Sequence, residues 1–180
     1  MKKLLLPFVS FLLLLMACKK DNHMCSLSVG DTYQGGKIAY LDKTGKHGLI
    51  ASPIGQGAGE WGCFGTEIAG ADGVALGTGN QNTIDIIAGC ETALIAARIC
   101  DDLVLNGFSD WYLPSKEELN KLYLNQGAIG DFAADFYWSS SEFDLNSAWV
   151  QDFSNGGQYF HYKSDDGMFS QHRVRAVRAF

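Results

Sequence analysis

The residues of this chain best suited to chemistry are four histidines, His23, His47, His161 and His172, and five cysteines, Cys18, Cys25, Cys63, Cys90 and Cys100. Their spacing assembles no recognisable site. The histidines are scattered, no two cysteines form a CxxC pair, and HExxH, a serine elbow and a phosphate loop are all missing. No catalytic residue, metal or cofactor is therefore expected. Arg98 with Asp101 and Asp102 stands at the three- and four-residue spacing of a solvated helix-surface pair. Glu117 and Glu118 sit where a helix start favours negative charge. Arg173, Arg175 and Arg178 could hold an anion, but a strand with a charged outer face accounts for Arg173 and Arg175 more simply.

The remaining composition narrows the partner. The chain has 180 residues, 47% hydrophobic and 19% charged, which suits one compact domain and excludes a disordered tail or a multidomain enzyme. A formal net charge of -6 argues against nucleic acid as a ligand. After a basic start, residues 4–16 form an apolar run of signal-peptide length, too short to span a bilayer comfortably. The run ends in Leu15-Met16-Ala17-Cys18, which resembles the bacterial lipobox, so Cys18 is expected to carry the lipid anchor. Residues 1–17 are then a leader, 18–29 a tether and 30–180 the domain. Lys19-Lys20-Asp21-Asn22 resembles the charged signals that send some lipoproteins to the outer face of the outer membrane. Export permits disulfides, and Cys25, Cys63, Cys90 and Cys100 allow three pairings. Cys90 and Cys100, ten residues apart on one expected helix, are too distant to join, and Cys63 with Cys90 is favoured because it closes the glycine-rich stretch between them.

Residues 36–42 and 47–52 read as a hairpin about Lys43-Thr44-Gly45-Lys46. Residues 55–82 carry nine glycines with little periodicity and read as a long ordered loop. Residues 91–105 read as a helix with Ala93, Ala96, Ala97, Cys100 and Val104 on its apolar face, stopped by Asn106-Gly107. A second helix starts at Ser115, with Glu118 completing a capping box and Pro114 holding the preceding segment extended. From Phe136 onward the pattern is antiparallel strands. Alternation in residues 149–154 places Trp149 and Phe153 on one face, read as core with Trp138, and Val150 and Asp152 on the other. Of Tyr159, Phe160, His161 and Tyr162, alternate members face opposite ways, so one pair is expected to be fully exposed.

Gly35-Gly36-Lys37-Ile38-Ala39-Tyr40, Trp61-Gly62-Cys63-Phe64-Gly65-Thr66, Gly77-Thr78-Gly79 with Asn82-Thr83, Ala97-Arg98-Ile99-Cys100, Ser109-Asp110-Trp111-Tyr112-Leu113-Pro114-Ser115, Tyr137-Trp138-Ser139-Ser140-Ser141-Glu142, Ala148-Trp149 and Arg173-Val174-Arg175-Ala176-Val177-Arg178, in that order, resemble the Lcl C-terminal domain family. The resemblance covers roughly residues 30 to 180. It implies an α+β, C-type lectin-like fold, two helices flanking a small antiparallel sheet with long ordered loops. It also implies binding without chemistry.

A narrower resemblance sets a fixed frame of Ser139-Ser140-Ser141-Glu142, Ala148-Trp149, Gln151, Phe153, Gln158, Lys163 and residues 173–178 beside lectin-fold lipoproteins rewritten by diversity-generating retroelements. It makes Asp144, Leu145, Asn146, Val150, Asp152, Tyr159, Phe160, His161, Tyr162, Asp165, Asp166 and Phe169 the ligand-facing positions. Asp144, Asn146, Asp165 and Asp166 invite calcium, but the ordered Glu-Pro-Asn and Trp-Asn-Asp triplets of sugar-binding C-type lectins are missing, so calcium-independent contact is expected. The expectation is a surface-anchored, non-enzymatic lipoprotein binding a protein or glycan. Two other readings remain. Residues 110–119 resemble the helix entry of formylglycine-generating enzymes, whose late cysteine pair has no counterpart after Cys100. A structural or adhesin subunit is the other, but no Gly-X-Y repeat or heptad stalk is present, and a monomer is expected.

Overall fold

A computed structural model describes residues 26–164 and 171–180; Cys18 and the other residues before 26, where a leader and tether are expected, lie outside the described residues. The fold is α+β. One sheet runs β1 (Thr32–Tyr33), β2 (Gly36–Leu41), β3 (Gly48–Ala51) and β9 (Val177–Ala179), all antiparallel. The other runs β4 (Ala58–Gly59), β8 (His172–Arg173), β5 (Phe136–Glu142), β6 (Ser147–Asp152) and β7 (Gln158–Tyr162), antiparallel except for one parallel pairing of β8 with β5. The helices are α1 (Gly79–Gly89), α2 (Ala96–Asp101), α3 (Lys116–Leu124) and the single turn α4 (Gln126–Ile129).

Local signals account for much of this. The hairpin β2–β3 forms about a turn in which Asp42 Oδ1 accepts from the Thr44 amide at 3.0 Å and its hydroxyl at 2.7 Å. The capping box is complete at α3: Ser115 Oγ accepts from the Glu118 amide at 3.3 Å, and Glu118 Oε2 from the Ser115 amide at 2.8 Å. Extended Tyr112 trades backbone hydrogen bonds with Val177, of 2.8 and 3.0 Å, and so links the α3 entry to β9.

Two expectations are corrected. The helix read over residues 91–105 covers only α2, and Val104, placed on its apolar face, is exposed. Cys90 ends α1 in an extended conformation, Leu94 takes a φ of 58°, and Ile95 is extended, so no helix can run through them. Conversely, α1 occupies the end of the stretch read as loop. Glycines at both its ends hide it in the sequence, and Gly79 is required because a side chain there would collide with the Glu118 carboxylate.

The second sheet is covered on both faces. Trp138, Ala148 and Val150 pack with Trp61, Ile86 and Trp111 in one core, while Tyr137 and Phe153 pack with Leu119 and Leu122 of α3 in another. The favoured disulfide is present, Cys63 to Cys90, and Cys100 is a buried free thiol.

Candidate functional site

The C-terminal frame is a set of polar residues, each spent on holding a different segment. Lys163, fully buried, forms an ion pair with Glu142, donates to the Thr66 carbonyl at 2.7 Å and lies over the Trp61 ring. The Glu142 carboxylate in turn accepts from the Ile68 amide at 2.9 Å. The glycine-rich loop is thereby fastened to the ends of β5 and β7. The three serines divide the remaining work: Ser139 Oγ donates to the Trp149 carbonyl, Ser140 Oγ accepts from Asn82, and Ser141 Oγ donates to the Gly73 carbonyl while accepting from the Lys116 amide. Buried Gln151 donates to Asn120 and to the Gly156 carbonyl and accepts from Gln158. Trp61 and Trp138 donate to the carbonyls of Ser139 and Gly59. Every one of these groups is satisfied internally, which makes the frame rigid and keeps it out of reach of a ligand.

Around the frame lies a surface of exposed rings. Phe160 stacks on Phe143 with centroids 4.4 Å apart and planes 7° apart. Trp149 meets Phe143 in a T-shaped contact at 5.3 Å, and Lys116 Nζ caps the Trp149 face at 3.6 Å. Tyr162, 67% exposed, meets Phe64 of the glycine-rich loop at 5.7 Å, and Leu145 is exposed on the turn beside them.

The expected ligand-facing positions fall into groups. Asp144, Leu145, Tyr159, Phe160 and Tyr162 are exposed, and Asn146, Asp152 and His161 are half-buried. Asp165, Asp166 and Phe169 lie outside the described residues. Val150 is a correction: it is 1% exposed, sits opposite Trp138 in register and belongs to the core. Trp149, read as core, instead shows part of its ring at the surface. The alternation is real but β6 is an inner strand, and both of its faces are covered, one by the core and one by α3. Three of the four β7 positions are exposed where one pair was expected, because β7 is the outer strand.

The acidic positions are used in turns. Asp144 Oδ1 accepts from the Asn146 amide at 2.8 Å. Asp152 accepts from the Ser154 amide and hydroxyl and from Asn155, and the hydroxyl holds its carboxyl below the usual range. On the opposite face of β7, His161 Nδ1 lies 2.7 Å from His172 Nε2. Burial lowers both imidazoles, and for His172, enclosed by Trp138 and Phe136 with His161 adding repulsion, the value falls to about 4.

Other charged groups have structural roles. Glu118, raised by burial, accepts from Gly77, Ser115 and Tyr112 at the α3 cap and lines a 230 Å³ hollow with His47. Arg98 is not a solvated partner of Asp101 and Asp102; it donates to the carbonyls of Ile87, Cys90 and Thr92. Arg175 is not on an outer face either. It is fully buried against Phe132 and donates to the carbonyls of Gly130 and Asp131. Arg173 is exposed and pairs with Asp135, while Arg178 grips Asp110 through two bonds of 2.7 Å.

Sequence reasoning missed Phe64, Phe143 and Lys116 as members of the aromatic surface. Phe143 directly follows the Ser-Ser-Ser-Glu frame and could have been found as its first unassigned residue. Phe64 and Tyr162 are brought together only by the Lys163 anchor and the fold, which no local pattern reports.

No curated protein matches this sequence. The family model described as the Lcl C-terminal domain matches residues 71–178, from the loop residue that accepts the Glu142 amide to the arginine that closes on Asp110. With more than half of its length matched, the chain belongs to the Lcl C-terminal domain family.

Proposed function

We propose that this chain is a non-enzymatic binding module, anchored at the cell surface through Cys18, whose aromatic surface at the β6–β7 edge holds a protein or glycan ligand. The observation that carries the reading is the grouping of Phe64, Phe143, Leu145, Trp149, Phe160 and Tyr162, contributed by four separate segments, around a largely buried polar frame. Clustered exposed rings mark contact surfaces, because each offers rigid area at small entropic cost. The surface presents rings, one lysine and turn backbone, which suits contact more than bond-making.

The division of most positions into buried frame and exposed filler also supports diversification by a retroelement, with Val150 buried among the filler and Trp149 and Arg173 at the surface among the frame as exceptions. Glu142, Gln151, Lys163, Arg175 and Arg178 are buried, whereas residues 143–145, 159, 160 and 162 are exposed, so codons for the latter tolerate change. Phe143→Ser, Phe160→Ser and Tyr162→Ser combined should reduce binding to ligands found on a glycan array and a displayed-protein library by at least tenfold, roughly 1.4 kcal/mol. The melting curve should stay close to that of the parent chain. Undiminished binding by the folded triple variant would place the site elsewhere.

A further inference from the structure

Strand β7 ends the second sheet, and among the described residues no strand pairs with its outer side. Two bonds fix what that side carries: the Lys163 amide donates to the Asn146 carbonyl at 2.9 Å and the Asp152 amide to the Gly157 carbonyl at 2.9 Å. Antiparallel pairs alternate between bonded and non-bonded, so Tyr159 and His161 turn their backbone groups toward β6, while Gln158, Phe160 and Tyr162 turn theirs outward. Natural sheets guard such an edge with lysine, proline or a bulge. The five residues of β7, Gln-Tyr-Phe-His-Tyr, include neither lysine nor proline, and their pairing with β6 is unbroken by any bulge.

We propose that this edge is a dimerisation surface, on which β7 of a second copy of the chain pairs antiparallel about a twofold axis at Phe160. The strand is complementary to itself in that register. Phe160 meets Phe160, Gln158 meets Tyr162 on the same face, and Tyr159 meets His161 on the other. The outward amides of all three residues on each copy then find carbonyl partners. Charge opposes a second copy least at this place. The chain as a whole carries -6 and repels its like, yet with neutral histidine none of the five edge residues is charged. Phe160 is 53% exposed and already stacked on Phe143, so the axis would join the two aromatic surfaces into one. An edge of five residues is about 17 Å long, which gives a small interface and a dissociation constant on the order of micromolar.

The test needs no ligand, so its failure and that of the binding reading are separable. Sedimentation of the exported chain carrying Cys18→Ala should show the mass rising from one copy to two between about 1 and 200 µM. Phe160→Pro removes an outward amide without touching the β6 ladder, a change tolerated on edge strands, and should keep the protein monomeric with a cooperative melt. Phe160→Lys alone should also be monomeric. Mixed with Phe160→Glu it should recover the dimer at least tenfold better than either alone, which an unfolded variant would not do. A wild-type chain that stays monomeric across the range overturns the proposal, as does a Phe160→Lys chain that dimerises like the parent.

Discussion

Val150 and Tyr162 show how little chemical type reveals about a residue's role. Both stand in strands at positions expected to face a ligand, yet one fills the core against Trp138 and the other is a ring 67% exposed at the surface. A charge at Val150 would be buried without a partner, so Val150→Asp should cost more than about 4 kcal/mol and lose the fold. Tyr162→Ser should shift stability by no more than about 0.5 kcal/mol, as surface changes usually do. Trp138→Ala should cost about 3–5 kcal/mol, and Trp149→Ala distinctly less, because only the first opens a cavity in the core. Urea denaturation of the four variants checks the order, and a Val150→Asp protein as stable as the parent would refute the packing. Lys163 and Glu142 were legible as frame positions, but that they bury each other was not, since a charge in sequence carries no record of its depth.

At the scale of elements, legibility followed the range of the signal. The α3 start was readable because the capping box spans four residues, and the hairpin because its turn is local. Helix α1 was hidden because the packing that demands Gly79 comes from Glu118, far along the chain. The alternation in β6 showed two faces, but choosing the core face requires knowing that α3 covers the other. The contact between β7 and β8 was equally invisible, and it has a consequence for pH. His172 has a pKa of about 4 in the fold against an ordinary 6.5, so its neutral form favours the folded state. That contribution is complete above about pH 6.5 and is lost as the pH falls toward 4, up to roughly 3 kcal/mol, with nearby Asp135 opposing part of it. His172→Gln should flatten this component. Thermal melts between pH 7 and pH 4 should fall more steeply for the parent than for the variant, and parallel slopes would remove His172 from the account.

On the scale of the whole molecule, the C-terminal end of the domain is tied into both sheets. The last residues lace both sheets: β8 joins β4 and β5, and β9 joins β3. Arg178 closes on Asp110 and Gln34, and Val177 exchanges bonds with Tyr112. The same stretch ends the family match, so the segment proposed to vary is bracketed by a seam that cannot. Removing residues 177–180 would strip an edge strand, an ion pair and the support of the α3 entry. A typical domain is held by only about 5–15 kcal/mol, so the truncated chain should show no cooperative melt. Cys18→Ala, fourteen residues before β1 begins at Thr32, should abolish palmitate labelling and leave the melt unchanged. Labelling that survives Cys18→Ala would sink the anchor, and a cooperative melt without residues 177–180 would mean that the rest of the domain holds together without the β9 seam.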